Sequence, residues 1–139
     1  MPRPPPRRNR RSMGNNRKKV LVVDDQAIIR RVVRAYLETV RGLEVSEAGN
    51  GLEAVKLLLA SDFDLIITDM IMPEMTGLEL LGYLRSDPKL AAVPVIMLTS
   101  QEDEPDRRKA AALGVKDYLI KPFNPLAIKA VVDRCFPKD

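Results

Sequence analysis

The sequence predicts an α/β domain: one parallel sheet covered on both faces by helices. Short apolar, β-branched runs recur along the chain and are separated by stretches with helical spacing of apolar residues, so strands and helices alternate strictly. Apart from one short alternating run, Leu43–Ala48, the runs are mostly apolar, and strictly alternating strands and helices with apolar strands mean a parallel sheet covered by helices on both faces.

The first run, VLVVDD (Val20–Asp25), ends in two acids. Residues 26–41 place Ile28, Val32, Val33, Tyr36, Leu37 and Val40 at helical spacing, and Arg41-Gly42 stops that helix. LEVSEA (Leu43–Ala48) is a short strand; Asn50-Gly51 is a turn leading into the helix LEAVKLLLAS (Leu52–Ser61). LIITD (Leu65–Asp69) is the third strand and GLELLGYLRS (Gly77–Ser86) the third helix. VPVIMLTS (Val93–Ser100) is the fourth strand, with Pro94 tolerable near its start. Residues 104–113 form a helix ended by Gly114, DYLI (Asp117–Ile120) is the fifth strand, and PLAIKAVVDRCF (Pro125–Phe136) the last helix. Right-handed crossovers leave few topologies for five such units, and the doubly wound, flavodoxin-like strand order 2-1-3-4-5 with five helices suits them.

Composition narrows the chemistry. The chain has 139 residues, enough for one domain with a core. Its single cysteine, Cys135, excludes an intramolecular disulfide and fits a reducing compartment. With no histidine, a Ser-His-Asp triad is excluded and a zinc or haem site is disfavoured; oxygen donors point to magnesium, calcium or manganese. The net charge of +4 conceals an asymmetry. Residues 1–19 hold 8 of the 23 basic residues and no acid, which leaves 15 basic against 19 acidic residues in the remainder. Residues 1–18, rich in proline and arginine, are expected to be a disordered basic tail, and 19–137 the folded domain. The tail suits weak contact with nucleic acid or an anionic membrane; equally it is a solvated extension, and Met13 would begin a plausible shorter chain. No run is long and apolar enough for a transmembrane segment.

In a doubly wound sheet, ligands bind beyond the carboxyl ends of the strands at the point where strand order reverses, here between strands 1 and 3. That position brings Asp24 and Asp25 together with Asp69. Three close carboxylates repel one another and need compensation. A divalent cation is one source, and Lys121, directly after the fifth strand in IKPFNP, is another; Thr99 adds a hydroxyl at the end of the fourth strand. A carboxylate beside a cation site, with an ammonium and a hydroxyl around it, suits phosphoryl transfer to that carboxylate.

These residues resemble the receiver domains of two-component response regulators. The resemblance rests on VVDD (Val22–Asp25), TDMIMPEMTG (Thr68–Gly77), LTS (Leu98–Ser100) and DYLIKPF (Asp117–Phe123), with support from AGNGLEAV (Ala48–Val55) and Leu113-Gly114. It covers residues 18–137. It implies that Asp69 is the phosphoacceptor, receiving phosphoryl from the phosphohistidine of a sensor histidine kinase or a histidine phosphotransfer protein. Asp25 would bind Mg2+ directly, Asp24 largely through water, and the Ile71 carbonyl would complete the protein ligands beside Asp69. Lys121 would contact the phosphoryl group, Thr99 would swing to bond it, and Tyr118 would rotate inward behind Thr99. Tyr118 also suits a plain strand-edge aromatic. The face formed by the fourth helix, fifth strand and fifth helix would then change its affinity for a downstream protein. The side chains two places after the phosphoacceptor and after the threonine, Ile71 and Gln101, would border the path of the hydrolytic water; an apolar Ile71 cannot orient water, so slow autodephosphorylation is expected. Arg107, Arg108 and Lys109 read as a solvated helix face, and Met70, Met72 and Met75 as loop packing.

Three rival readings are weaker. A magnesium-dependent phosphatase with an aspartyl nucleophile would want a second aspartate where Ile71 stands. A flavin-binding module would want a hydroxyl- and glycine-rich loop after the first strand, where Asp24-Asp25-Gln26 would repel phosphate. A nucleic-acid-binding protein driven by its tail would use the domain as a switch. With no DNA-binding helix-turn-helix or catalytic output domain following Asp139, the expectation is a stand-alone cytoplasmic response regulator, either of chemotaxis type or a phosphorelay shuttle. It would not be an enzyme beyond catalysing its own phosphorylation and slow dephosphorylation.

Overall fold

The computed structural model describes residues 17–40, 42–100 and 104–136. Most of the expected tail, residues 1–16, lies outside the described residues, as does Gln101. Among the described residues the order is β1 (Lys18–Val23), α1 (Ala27–Leu37), β2 (Leu43–Ala48), α2 (Gly51–Ala60), β3 (Leu65–Asp69), α3 (Gly77–Ser86), β4 (Val95–Thr99), α4 (Glu104–Ala112), β5 (Asp117–Ile120) and α5 (Pro125–Cys135). All four strand pairings are parallel and the sheet order is β2-β1-β3-β4-β5, as expected from the alternation.

The strands alternate their side chains between two cores. Leu21, Val23, Ile66 and Met97 pack with Ala54, Leu58, Leu80, Leu84 and Ala110 under α2, α3 and α4. Val20, Val22, Ile67, Ile96 and Leu98 pack with Val33, Leu37, Ile128 and Val132 under α1 and α5. Each fully buried Leu, Ile or Val side chain contributes about 1.5–3 kcal/mol. β3 and β4 are buried at every position, which is why their runs show no polar alternation.

Several expected boundaries move. β1 begins at Lys18, within the stretch assigned to the tail, and ends at Val23, two residues before the expected end; Asp24 still extends the ladder by donating its N–H to the Ala48 carbonyl at 3.1 Å. β4 is shorter than expected at both ends. α1 stops at Leu37 because the chain tightens there: Thr39 and Val40 donate to the carbonyls of Tyr36 and Leu37, three residues back. Ile28 is 70% exposed and Val32 38%, so the buried stripe of α1 is narrower than its apolar pattern.

The starts of α2, α3 and α5 are capped by side chains where they approach the carboxyl edge of the sheet. Asn50 caps α2 by accepting from Glu53 N at 2.8 Å, and Asn124 caps α5, with Pro125 as the first helical residue. Thr76 and Glu79 form a reciprocal capping box at the start of α3. At the other end of α3, Arg85 donates to the carbonyls of Ala91, Val93, Leu113 and Gly114, tying α3 to the segments that precede β4 and β5.

Candidate functional site

The crevice lies at the carboxyl edge of β1, β3 and β4. It is lined by Asp25, Gln26, Asp69, Ile71, Met72, Pro73, Ser100 and Lys121 and encloses about 560 Å³. Register places the acids there: Val23 pairs with Ala48 on one side and Thr68 on the other, so the residues that follow Val23 and Thr68 emerge side by side. Carboxylate oxygens of Asp24, Asp25 and Asp69 lie within 4.8 Å of one another.

Each acid stands in a different environment. Asp25 is exposed, Asp69 is 7% exposed and Asp24 is fully buried. Asp24 Oδ1 accepts the Gln26 N–H at 2.8 Å, whereas its Oδ2 is buried with no hydrogen-bond partner among the described residues. Burial pushes the Asp24 carboxyl up from the usual 3.8 to about 6; Asp69 and Asp25 push it the same way, while the Gln26 N–H and Lys121 oppose them. Lys121 Nζ donates to Asp69 Oδ1 at 3.2 Å. Its backbone N–H donates to the Thr99 carbonyl at 2.7 Å, which fixes the stem of the lysine against β4.

The loop after Asp69 is shaped by close approach. A Cβ on Gly77 would stand 2.3 Å from the Asp69 carbonyl oxygen, so α3 can begin against the strand end only with glycine there. Gly77 N–H donates to the Met70 carbonyl at 2.9 Å. Met70 and Met72 are buried and Met75 half-buried against the core, the loop packing expected of them. Glu74 has φ of 69° and sits in a γ-turn closed by Met75 N–H on the Pro73 carbonyl at 2.7 Å, a strained conformation for a residue with a side chain.

The expected site residues therefore divide. Asp24, Asp25, Asp69 and Lys121 converge, and the Ile71 side chain, 56% exposed, borders the crevice. Thr99 is buried on the adjacent strand end, with its hydroxyl 3.2 Å from the Ser100 carbonyl and 3.8 Å from Met70 Sδ. Tyr118 stands apart. Its hydroxyl donates to the Arg107 carbonyl of α4 at 2.7 Å, and its ring packs on the α2–α4 core. Arg107 is in consequence not a freely solvated helix residue: it is half-buried and holds the tyrosine. Sequence reasoning missed Arg30, which reaches back from the first turn of α1 to donate to the Asp24 carbonyl at 2.6 Å. Its place soon after Asp25 was a signal, but one shared by the neighbouring Arg31.

An all-oxygen cluster with an orphaned, fully buried carboxylate oxygen fits a hard divalent cation. The fold and this strand-end cluster define a doubly wound α/β protein with an acidic site at its topological switch point. A family model for the response regulator receiver domain matches residues 20–133, and the chain belongs to that family of signalling proteins. It is 36% identical over 110 residues to the chemotaxis protein CheY-3 of Vibrio cholerae, covering 79% of this chain and 85% of that protein. It is 34% identical to the chemotaxis protein CheY of Pseudomonas aeruginosa, covering 79% of this chain and 89% of that one. Among solved structures, the chemotaxis response regulator CheY4 of Vibrio cholerae superposes with a TM-score of 0.80 at 35% identity, covering 86% of this chain and 99% of the other.

Proposed function

We propose that this receiver accepts a phosphoryl group on Asp69 from the phosphohistidine of a sensor histidine kinase or a histidine phosphotransfer protein, in a Mg2+-dependent reaction in the cytoplasm. The observation that carries this is the joining of three mutually close carboxylates with an ammonium 3.2 Å from Asp69. An Asp69 oxygen attacks phosphorus, the P–N bond to the donor imidazole breaks with its electron pair, and an acyl phosphate forms on the aspartate. Lys121, whose Nζ donates to Asp69 Oδ1 at 3.2 Å, would follow the charge from the carboxylate onto the phosphoryl oxygens. Asp24 and Asp25, with Asp69 and the Ile71 carbonyl, would hold magnesium, which when bound supplies positive charge against the phosphoryl oxygens.

The readout follows from the neighbours of the crevice. Thr99 turning its hydroxyl towards the phosphoryl group would vacate space beside β5, and Tyr118 entering that space would release the Arg107 carbonyl. The face made by α4, β5 and α5 would then favour one arrangement and bind a downstream protein. The similarity to chemotaxis proteins favours a single-domain chemotaxis-type regulator over a phosphorelay shuttle.

Intact-mass measurement after incubation with acetyl phosphate tests the reading. A gain of one phosphoryl group that requires Mg2+ and is lost in Asp69→Asn is expected; no gain, or an equal gain in Asp69→Asn, would contradict it. Because Ile71 offers no hydrogen bond to water at the mouth of the crevice, Ile71→Asn should shorten the lifetime of the phosphorylated protein severalfold, followed by the same mass shift over time.

A further inference from the structure

We propose that Arg30 is the positioning residue of the acidic crevice: its guanidinium fastens the turn carrying Asp24 and Asp25 to strand β2, so cation capture depends on a side chain that touches neither cation nor phosphoryl group. This rests on the reading of the crevice as a Mg2+ site. Arg30 Nη1 donates to the Asp24 carbonyl at 2.6 Å and Nε to Glu47 Oε1 at 3.0 Å. Glu47 is itself held, since its Oε2 accepts Arg34 Nη1 at 3.0 Å. The Arg30 and Glu47 side chains are only 20% and 21% exposed, so the pair is screened far less than a surface ion pair.

The turn needs such a tie. Its acids repel one another whenever no cation is present, and the helix that follows offers little restraint. Gln26, the N-cap of α1, makes no side-chain cap hydrogen bond, in contrast to Asn50, Thr76 and Asn124 at the starts of α2, α3 and α5. Beside the bond from the Asp24 N–H to the Ala48 carbonyl, Arg30 adds a side-chain restraint from within the helix by bonding the Asp24 carbonyl, while Oδ2 of that residue has no partner among the described residues. Groups that orient metal ligands without binding the metal commonly alter metal affinity by tenfold or more.

The test compares the full chain with Arg30→Met, Arg30→Lys and Glu47→Gln in two measurements. In metal-free protein, amide hydrogen exchange of Gln26, whose N–H bonds Asp24 Oδ1, reports the order of the turn. In Arg30→Met this exchange should accelerate at least tenfold while amides of α3 and α5 keep their rates, and the Kd for Mg2+ should rise about tenfold. Arg30→Lys keeps the charge but loses the planar fork that reaches the carbonyl and Glu47 from two nitrogens, and should fall between Arg30→Met and the unaltered chain. Glu47→Gln should shift both readouts in the same direction by less. Unchanged Gln26 exchange together with a Kd within twofold in Arg30→Met would overturn the proposal. If that variant does not fold, unchanged values in Glu47→Gln overturn it instead. Absence of Mg2+ binding by the unaltered chain would count against the Mg2+ site itself, and Gln26 exchange would still decide the role of Arg30.

Discussion

Asp24 opposes the fold until a cation or a proton meets it. Its folded pKa of about 6 stands above the usual 3.8, so the folded state keeps a proton across a window where the unfolded chain has lost it. That contribution is present at low pH and is lost as pH rises through about 6. In chelator, stability should therefore fall between about pH 4 and pH 6 from this group. Asp24→Asn should remove that fall and raise the unfolding free energy at pH 7 by about 3 kcal/mol, read by urea denaturation; unchanged stability would contradict the burial argument. With Mg2+ present the advantage should shrink, because only the unaltered site gains from binding. Gly77 makes the opposite case, a residue whose worth is the absence of a side chain. Gly77→Ala forces a methyl against the Asp69 carbonyl, so it should destabilise by about 3 kcal/mol and slow phosphorylation from acetyl phosphate.

Among the elements, α1 and α3 show how much side chains add to helix placement. α1 is tied to β2 by Glu47 between Arg30 and Arg34. Burial alone would raise the Glu47 carboxyl, but the hydrogen bonds from Arg34 and Arg30 outweigh it and hold it below the usual range, so this tie is lost as pH falls through the Glu47 folded pKa. α3 is held at its start by the Thr76–Glu79 box and at its end by Arg85. Burial lowers the Arg85 pKa, and its bonds are to four carbonyls. Arg85→Met leaves those carbonyls to water and should lower stability by about 2 kcal/mol. Since Arg85 lies at the edge of the sheet opposite the crevice, the Mg2+-dependent phosphorylation rate at 25 °C should be unchanged. A loss of phosphorylation in a variant that stays folded would show that the two edges are coupled.

At the scale of the whole molecule, the strand–helix alternation was legible in the hydrophobic pattern, because strands such as β3 and β4 are buried at every residue, and right-handed crossovers then left few sheet orders. The convergence of Asp24, Asp25, Asp69 and Lys121 was legible for the same reason: parallel topology alone sends the strand ends to one rim. What escaped the sequence depends on where long side chains point. The exposed face of Ile28, the tie of Tyr118 to α4 and the reach of Arg30 are set by packing between distant segments, which periodicity does not encode. The central claim is that this architecture exists to make one carboxylate the phosphoryl acceptor. The most direct measurement is borohydride reduction of protein treated with acetyl phosphate and Mg2+, followed by peptide mass spectrometry, because reduction converts an aspartyl phosphate to homoserine in place. Homoserine at position 69, absent without Mg2+, is the predicted result. Homoserine at position 24 or 25, or at none of the three, would contradict the account.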